Sequence, residues 1–365
     1  MSPLSLDPAA PRVHIVALRN VRAQSLRWLW PGYLPLGKLV VLDGHPGLGK
    51  STLLLDIAAR LSQGRAMPDG SVGYQADAAA PTPADTVILT YEDDVADTLR
   101  PRLEAAGGDV DRVHHVAGVT HVGDDQLLPA SLPVDLEGLE NALARYPQAR
   151  LLVIDPLATA LSGAVHSSNE QSIRRVLARL ARLAVARDVC IVAVRHVRKS
   201  AGRNSIAAGT GSVGIIGHAR VGLLVERHPE DQNRSVLAVI KSNVGPIAPS
   251  LVFARVAARI QGEEGAAIET SRLEWTGTSD LSADALLAAR QTGAANEVDG
   301  AAEWLRDLLA SGARLTRGQV AAAAAAAGFK MRTVDRAADR LGVRKEREGF
   351  GGAMRSFWTL GDSSS

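Results

Sequence analysis

A single cysteine among 365 residues excludes an intrachain disulfide framework and a cysteine zinc cluster. That residue, Cys190, lies in the apolar run VCIVAV, where it reads as a small buried hydrophobe, and a reducing compartment fits. Aromatic residues are only 4% of the chain, so a core drawn from its 46% hydrophobic content must consist mainly of Ala, Val, Leu and Ile. Excess charge of either sign is missing too: 41 Lys and Arg against 39 Asp and Glu leave +2, so no global field draws the chain onto nucleic acid or a membrane. Any cationic binding surface must be local. No segment approaches the roughly 18 consecutive apolar residues of a bilayer span, and MSPLSLDPAAPR has no apolar signal core. A cytoplasmic chain without a membrane partner is expected, ending in a disordered polar tail, GDSSS.

What is present is an apolar strand, a polar loop and a helix, repeated, which is how parallel α/β sheets are written. Candidate strands are 38–43, 86–91, 151–155 and 189–194. Between the last two, Ile173, Val176, Leu177, Leu180 and Leu183 recur at helical spacing with arginines on the other face, so an amphipathic helix covers the sheet. ARVGLLVER and SVLAVIKSN flank the turn-rich HPEDQN and predict an antiparallel hairpin, with a third strand near 251–255. After Trp275 the pattern weakens, and a linker is placed at 279–297. The expected layout is an N-terminal arm (1–30), an α/β P-loop core (31–278), that linker, and a small unit at 298–362. The last has three short helices, one with the alanine run 321–327, then a two-strand candidate, which is winged-helix order. Trp28 and Trp30 are expected to pack the arm onto the core or onto a neighbouring subunit, core packing being the preferred use.

GHPGLGKST (44–52) matches G-x-x-x-x-G-K-[ST] between the strand KLVVLD and the helix STLLLDIAARLS, the context a P-loop requires. Gly44, Pro46, Gly47, Leu48, Gly49, Lys50, Ser51 and Thr52 are the candidate ATP-binding residues. Backbone N–H groups would wrap the β-phosphate, Lys50 would reach the β and γ oxygens, and Ser51 would ligate Mg²⁺. LLVIDP ends an apolar strand in Asp155, the second candidate for the Mg²⁺ shell. TVILTYEDD ends another in Glu92, the candidate catalytic carboxylate, its alternative being a solvated strand-end acid. A glutamate between the two Walker motifs is the RecA-like order; in the usual AAA+ order it follows the Walker B aspartate, where this chain has Pro156.

Beyond VCIVAV come Arg195 and His196, the latter a candidate γ-phosphate sensor or a structural histidine. The loop RKSAGRNSIAAGTGSVGIIG carries Arg198, Lys199 and Arg203, suited to following a single-stranded DNA backbone or to a plain solvent role. Lys241 ends SVLAVIKSN, where a ring-forming ATPase presents a cation to its neighbour's γ-phosphate; otherwise it is a surface lysine. From Lys330 to Arg355 eight basic residues face four acidic ones, an excess of +4. Lys330, Arg332, Arg336 and Arg340 form the candidate duplex-facing set, with a solvated face or a protein-binding surface as alternatives.

The blocks WLWPGYLPLGKLVVLDGHPGLGKSTLLLDIAARL, TYEDDVADTLRPRLEAAG, LLVIDPLATAL, RHVRKS and VLAVIKSN resemble, in order, the RecA-like ATPases of the RepA type over roughly residues 20–255. That group includes the hexameric replicative helicases of plasmids and many phage and mobile-element ATPases. The resemblance implies a RecA-like fold, and assigns Lys50, Ser51 and Thr52 to nucleotide, Glu92 to catalysis, Asp155 to magnesium, His196 to γ-phosphate sensing and Lys241 to the trans-acting finger. This chain departs from many relatives in having Arg195 for the first of two adjacent histidines and lysine for a finger arginine. The expectation is an ATP-driven DNA motor, a ring-forming helicase acting on single-stranded DNA, and a homo-oligomer with a hexamer favoured. An ATP-switched DNA-binding regulator or loader is the alternative; a small-molecule kinase is disfavoured by the absence of an acceptor pocket or arginine-rich lid.

Overall fold

The computed structural model describes residues 14–76, 80–123, 125–161, 170–196, 213–262, 265–309, 314–348 and 355–360. The chain enters the fold at Trp28–Trp30 (β1), antiparallel to Leu34–Pro35 (β2). Leu29 and Trp30 are fully buried, so the arm expected over 1–30 already joins the core at its last residues. Leu39–Gly44 (β3) follows, with all six residues buried, as a strand covered on both faces must be. Lys50–Ser62 (α1), Asp85–Thr90 (β4), Arg100–Ala105 (α2) and Val113–His115 (β5) come next. Leu136–Ala144 (α3), Ala149–Asp155 (β6), Leu157–Ala160 (α4), Glu170–Arg187 (α5), Cys190–His196 (β7) and Val213–His218 (α6) complete the alternation.

Val221–Arg227 (β8) and Arg234–Ser242 (β9) form the expected antiparallel hairpin, followed by Ser250–Gln261 (β10) and Ala267–Ser279 (β11). These strands make one nine-stranded sheet in the order β11-β10-β9-β8-β3-β7-β6-β4-β5. The six from β8 to β5 are parallel neighbours, and β9 to β11 add an antiparallel flank. Side-chain alternation splits β3 between two cores. Val40 and Leu42 pack with Leu53, Leu54 and Ile57 of α1. Leu39 and Val41 pack with Ile173, Leu177 and Leu180 of α5, which bears out the amphipathic pattern.

The scarce aromatics are concentrated. Trp30 stacks on Tyr33 at 4.2 Å and meets Trp275 edge-on at 6.0 Å, and Phe253 lies 5.2 Å from Trp275. Trp275 Nε1 also donates to Asp56 of α1 at 2.9 Å, so this cluster fastens both the entering segment and the β10–β11 hairpin onto α1.

The segment read as a linker at 279–297 is helical from its fifth residue: Ala283–Leu309 (α7) is one continuous helix. Its apolar signal is weak because only Ala283, Leu286 and Leu287 press on β8, β9 and β10, while alanine-rich sequence sustains the helix between contacts. Leu305 and Leu309, at the far end, enter a separate core with Val320, Val334 and Trp358. Leu315–Thr316 (β12), Arg317–Ala326 (α8), Met331–Leu341 (α9), Arg344–Glu348 (β13) and Arg355–Thr359 (β14) surround it, the strands ordered β12-β14-β13. The alanine run is helical as expected, started by a capping box between Thr316 and Gln319. Among the described residues, no helix is long and apolar enough to cross a membrane.

Candidate active site

Parallel strands deliver their C-terminal ends to one edge of the sheet, and the register fixes which side chains meet there. Asp43 stands opposite Arg195, Gly44 opposite His196 and Val225, and Thr90 opposite Asp155. From that edge the chain turns through the loop of residues 44–49 into α1. Gly47 and Gly49 have φ of 80° and 88°, a left-handed backbone that side chains resist, and nothing within 4 Å would meet a Cβ on Gly47. The loop is thus a bare backbone concavity at a helix N-terminus, the form that takes a phosphate group.

Lys50 is 6% exposed, and its Nζ donates to the carbonyls of Gly44 at 3.0 Å and His45 at 2.9 Å. Burial lowers its pKa, opposed by the charges of Asp155, Glu92, Asp43 and Glu226. Ser51 Oγ donates to Asp155 Oδ2 at 2.7 Å; burial raises the Asp155 pKa, and this hydrogen bond opposes the shift. A hydroxyl and one carboxylate are too few for an all-protein metal cage but fit an ion that keeps waters and phosphate oxygens in its shell, as Mg²⁺ does.

Glu92, at the end of β4, is half exposed, and its Oε1 lies 3.4 Å from His196 Nε2. Lys50, Ser51, Asp155, Glu92 and His196, chosen from four separated stretches of sequence, all line one open-sided cleft of about 570 Å³, open solvent included. Three further charged residues line it that the sequence reading had not singled out. Asp93 and Arg102 form an ion pair at 3.3 Å, and Arg255 is contributed by β10. Asp93 directly follows Glu92 in TYEDD, whereas no motif marks Arg102 of α2 or Arg255 of β10, which only the fold brings to the cleft.

Arg195, beside the sensor candidate His196, is buried in an ion pair with Asp43. Its Nε and Nη2 donate to both oxygens of Asp43 at 2.8 and 2.6 Å, with the side chains 3% and 0% exposed. Lys241 stands apart from the cleft lining, its Nζ donating to the carbonyls of Ile216 at 3.0 Å and Gly217 at 3.1 Å in α6. Arg198, Lys199 and Arg203 lie outside the described residues. Lys330 precedes α9, on which Arg332 and Arg336 are exposed, whereas Arg340 pairs with Asp299 of α7.

With a phosphate-binding loop, a buried lysine and a hydroxyl–carboxylate pair at one strand edge, the family match is informative. A family model described as an AAA domain (AAA_25) matches residues 7–202, more than half of the chain. The chain belongs to this AAA family. It is a RecA-like P-loop ATPase, and the matched span contains the P-loop, Glu92, Asp155 and His196. The AAA-family label and the RecA-like site are compatible because β4 and β6 are adjacent strands, so Glu92 reaches the cleft from beside Asp155 although Pro156 holds the next position in sequence. DNA repair protein RadA of Streptococcus pneumoniae (strain R6) is 29% identical over 175 residues, which cover 47% of this chain and 33% of RadA. The match thus spans about a third of the length of that relative.

Proposed function

We propose that this AAA-family chain is a DNA-dependent ATPase of the RepA type, a homo-oligomeric motor, hexameric by preference, that moves on single-stranded DNA. The observation that carries the reading is the convergence at one strand edge of Lys50, the Ser51–Asp155 pair at 2.7 Å and Glu92 beside His196 at 3.4 Å. Lys50 would release its loop carbonyls to hold the β and γ oxygens. Ser51 and Asp155 would hold Mg²⁺, whose charge offsets that of the phosphates. Glu92 would take the proton of the attacking water, and its exposure gives that water access; His196, in reach of the same carboxylate, would register the γ-phosphate. Lys241 would serve the neighbouring subunit, and Arg198, Lys199 and Arg203 would follow the strand. The printed name of the RadA relative, a DNA repair protein, supports DNA as the partner class.

A second reading has its own observation. In the unit at the C-terminal end, the close of α7, α8 and α9 precede the β13–β14 hairpin, an order we read as that of a winged helix, and Arg332 and Arg336 are exposed on α9. A DNA-binding regulator or loader, assembled under ATP control without translocation, would use that face for duplex or for a protein. ATP turnover alone and with single-stranded or duplex DNA, beside the solution mass with and without Mg-ATP, separates the two. Single-strand stimulation with a nucleotide-dependent hexamer supports the motor; slow turnover indifferent to single strands, with duplex binding retained, supports the regulator. Glu92→Gln is expected to cut turnover by roughly 100-fold or more while ATP binding persists. Undiminished turnover would remove Glu92 from the catalytic role.

A further inference from the structure

Glu226, next to last in β8, has only 3% of its side chain exposed, an expensive place for a carboxylate, and burial raises its pKa. Its Oε1 accepts the Arg227 backbone N–H at 2.9 Å, and its Oε2 lies 3.3 Å from Arg290 Nη1. Arg290 belongs to α7, one turn past the Leu286 and Leu287 contacts that seat the helix on the sheet. The other neighbour of Glu226 Oε2 is His45 Nε2 at 3.9 Å, and His45 is a residue of the P-loop itself. The backbone carbonyl of His45 is one of the two that hold Lys50 Nζ. The join between loop and strand is tight: a Cβ on Gly44 would stand 2.6 Å from the Val225 carbonyl oxygen.

We propose that Arg290 is a positioning residue for the nucleotide loop: reaching from α7, it neutralises the buried Glu226 beside His45 and so ties the seat of Lys50 to the helix that carries the C-terminal unit. This rests on the reading of the cleft as an ATP site. An unneutralised carboxylate beneath the loop repels the triphosphate and competes with it for Lys50, so nucleotide affinity follows the state of the Arg290–Glu226 pair. The same helix carries Asp299, which pairs with Arg340 of α9, and Leu305 and Leu309 of its core. A load on α9 that shifts α7 therefore reaches Arg290, and by reciprocity nucleotide binding biases α7.

The experiment titrates a fluorescent ATP analogue, mant-ATP, into the full-length chain and its variants. Arg290→Ala is expected to weaken binding roughly five- to ten-fold. Arg290→Lys, which keeps the cation, should bind like the unsubstituted chain. In Glu226→Gln/Arg290→Ala, where no buried charge is left to neutralise, affinity should return to within about two-fold of the unsubstituted chain, whereas a role in packing alone would leave the double variant as weak as the single one. Unchanged affinity in Arg290→Ala, or no recovery in the double variant, overturns the proposal while leaving the ATP site standing. If the unsubstituted chain fails to bind mant-ATP, or Lys50→Ala binds it equally well, the ATP-site reading falls and this one with it.

Discussion

A carboxylate with no exposure persists in a fold only when both its oxygens are matched, and Asp43 is matched by the fork of Arg195. The pair lies across the β3–β7 register, one residue before Gly44 and one before His196, so it fixes the heights of the P-loop and the histidine together. Arg195→Met removes the fork and strands the carboxylate. The expected loss is about 3–5 kcal/mol of stability, read as the urea midpoint, with most of it recovered in Asp43→Asn/Arg195→Met. His45 makes a different residue-level prediction. Burial above all, then the charges of Arg290 and Lys50, push its imidazole from 6.5 down to about 4. The folded chain thus refuses a proton that the unfolded chain accepts. The associated stability is complete above pH 6.5 and is lost as pH falls from there toward 4, by at most about 3 kcal/mol. His45→Gln should flatten that part of the stability–pH curve, measured as thermal midpoints across the window. An unchanged slope would locate the acid sensitivity elsewhere.

At the level of elements, legibility followed burial. β3, β6 and β7 are covered on both faces, so their sequences are apolar runs, and α5 is covered on one, so its sequence alternates with a helical period. The P-loop, Asp155 and Glu92 could be read because each sits at the end of such a run. β11 could not: most of its residues are exposed or half-buried, and its pairing with β10 is carried by backbone hydrogen bonds that no side-chain pattern records. α7 was hidden for the opposite reason, since it touches the sheet at one end and the second core at the other, and its middle owes its helicity to composition. Asp43 and Arg195, 152 residues apart, could be paired only once the strand order was known. Arg195 was legible as a neighbour of His196 but not as the buried partner it is.

Taken as a whole, the molecule has one helix that joins two of its hydrophobic cores: Leu286 and Leu287 belong to the sheet, Leu305 and Leu309 to the C-terminal unit. Such a helix behaves as an angular gauge. Each residue inserted into it turns everything downstream by about 100° and advances it by about 1.5 Å. One alanine added between Arg290 and Asp299 would leave both ion pairs intact and yet swing the α9 arginines away from their native heading. Seven added residues restore the heading to within about 20° at roughly 10 Å greater reach. If the C-terminal unit must meet DNA at a set angle to the ATPase sheet, DNA stimulation of ATP turnover should fail with one inserted residue and return with seven. The length of this helix is then constrained less as a distance than as a phase, and lineages that lengthen it should do so in whole pairs of turns.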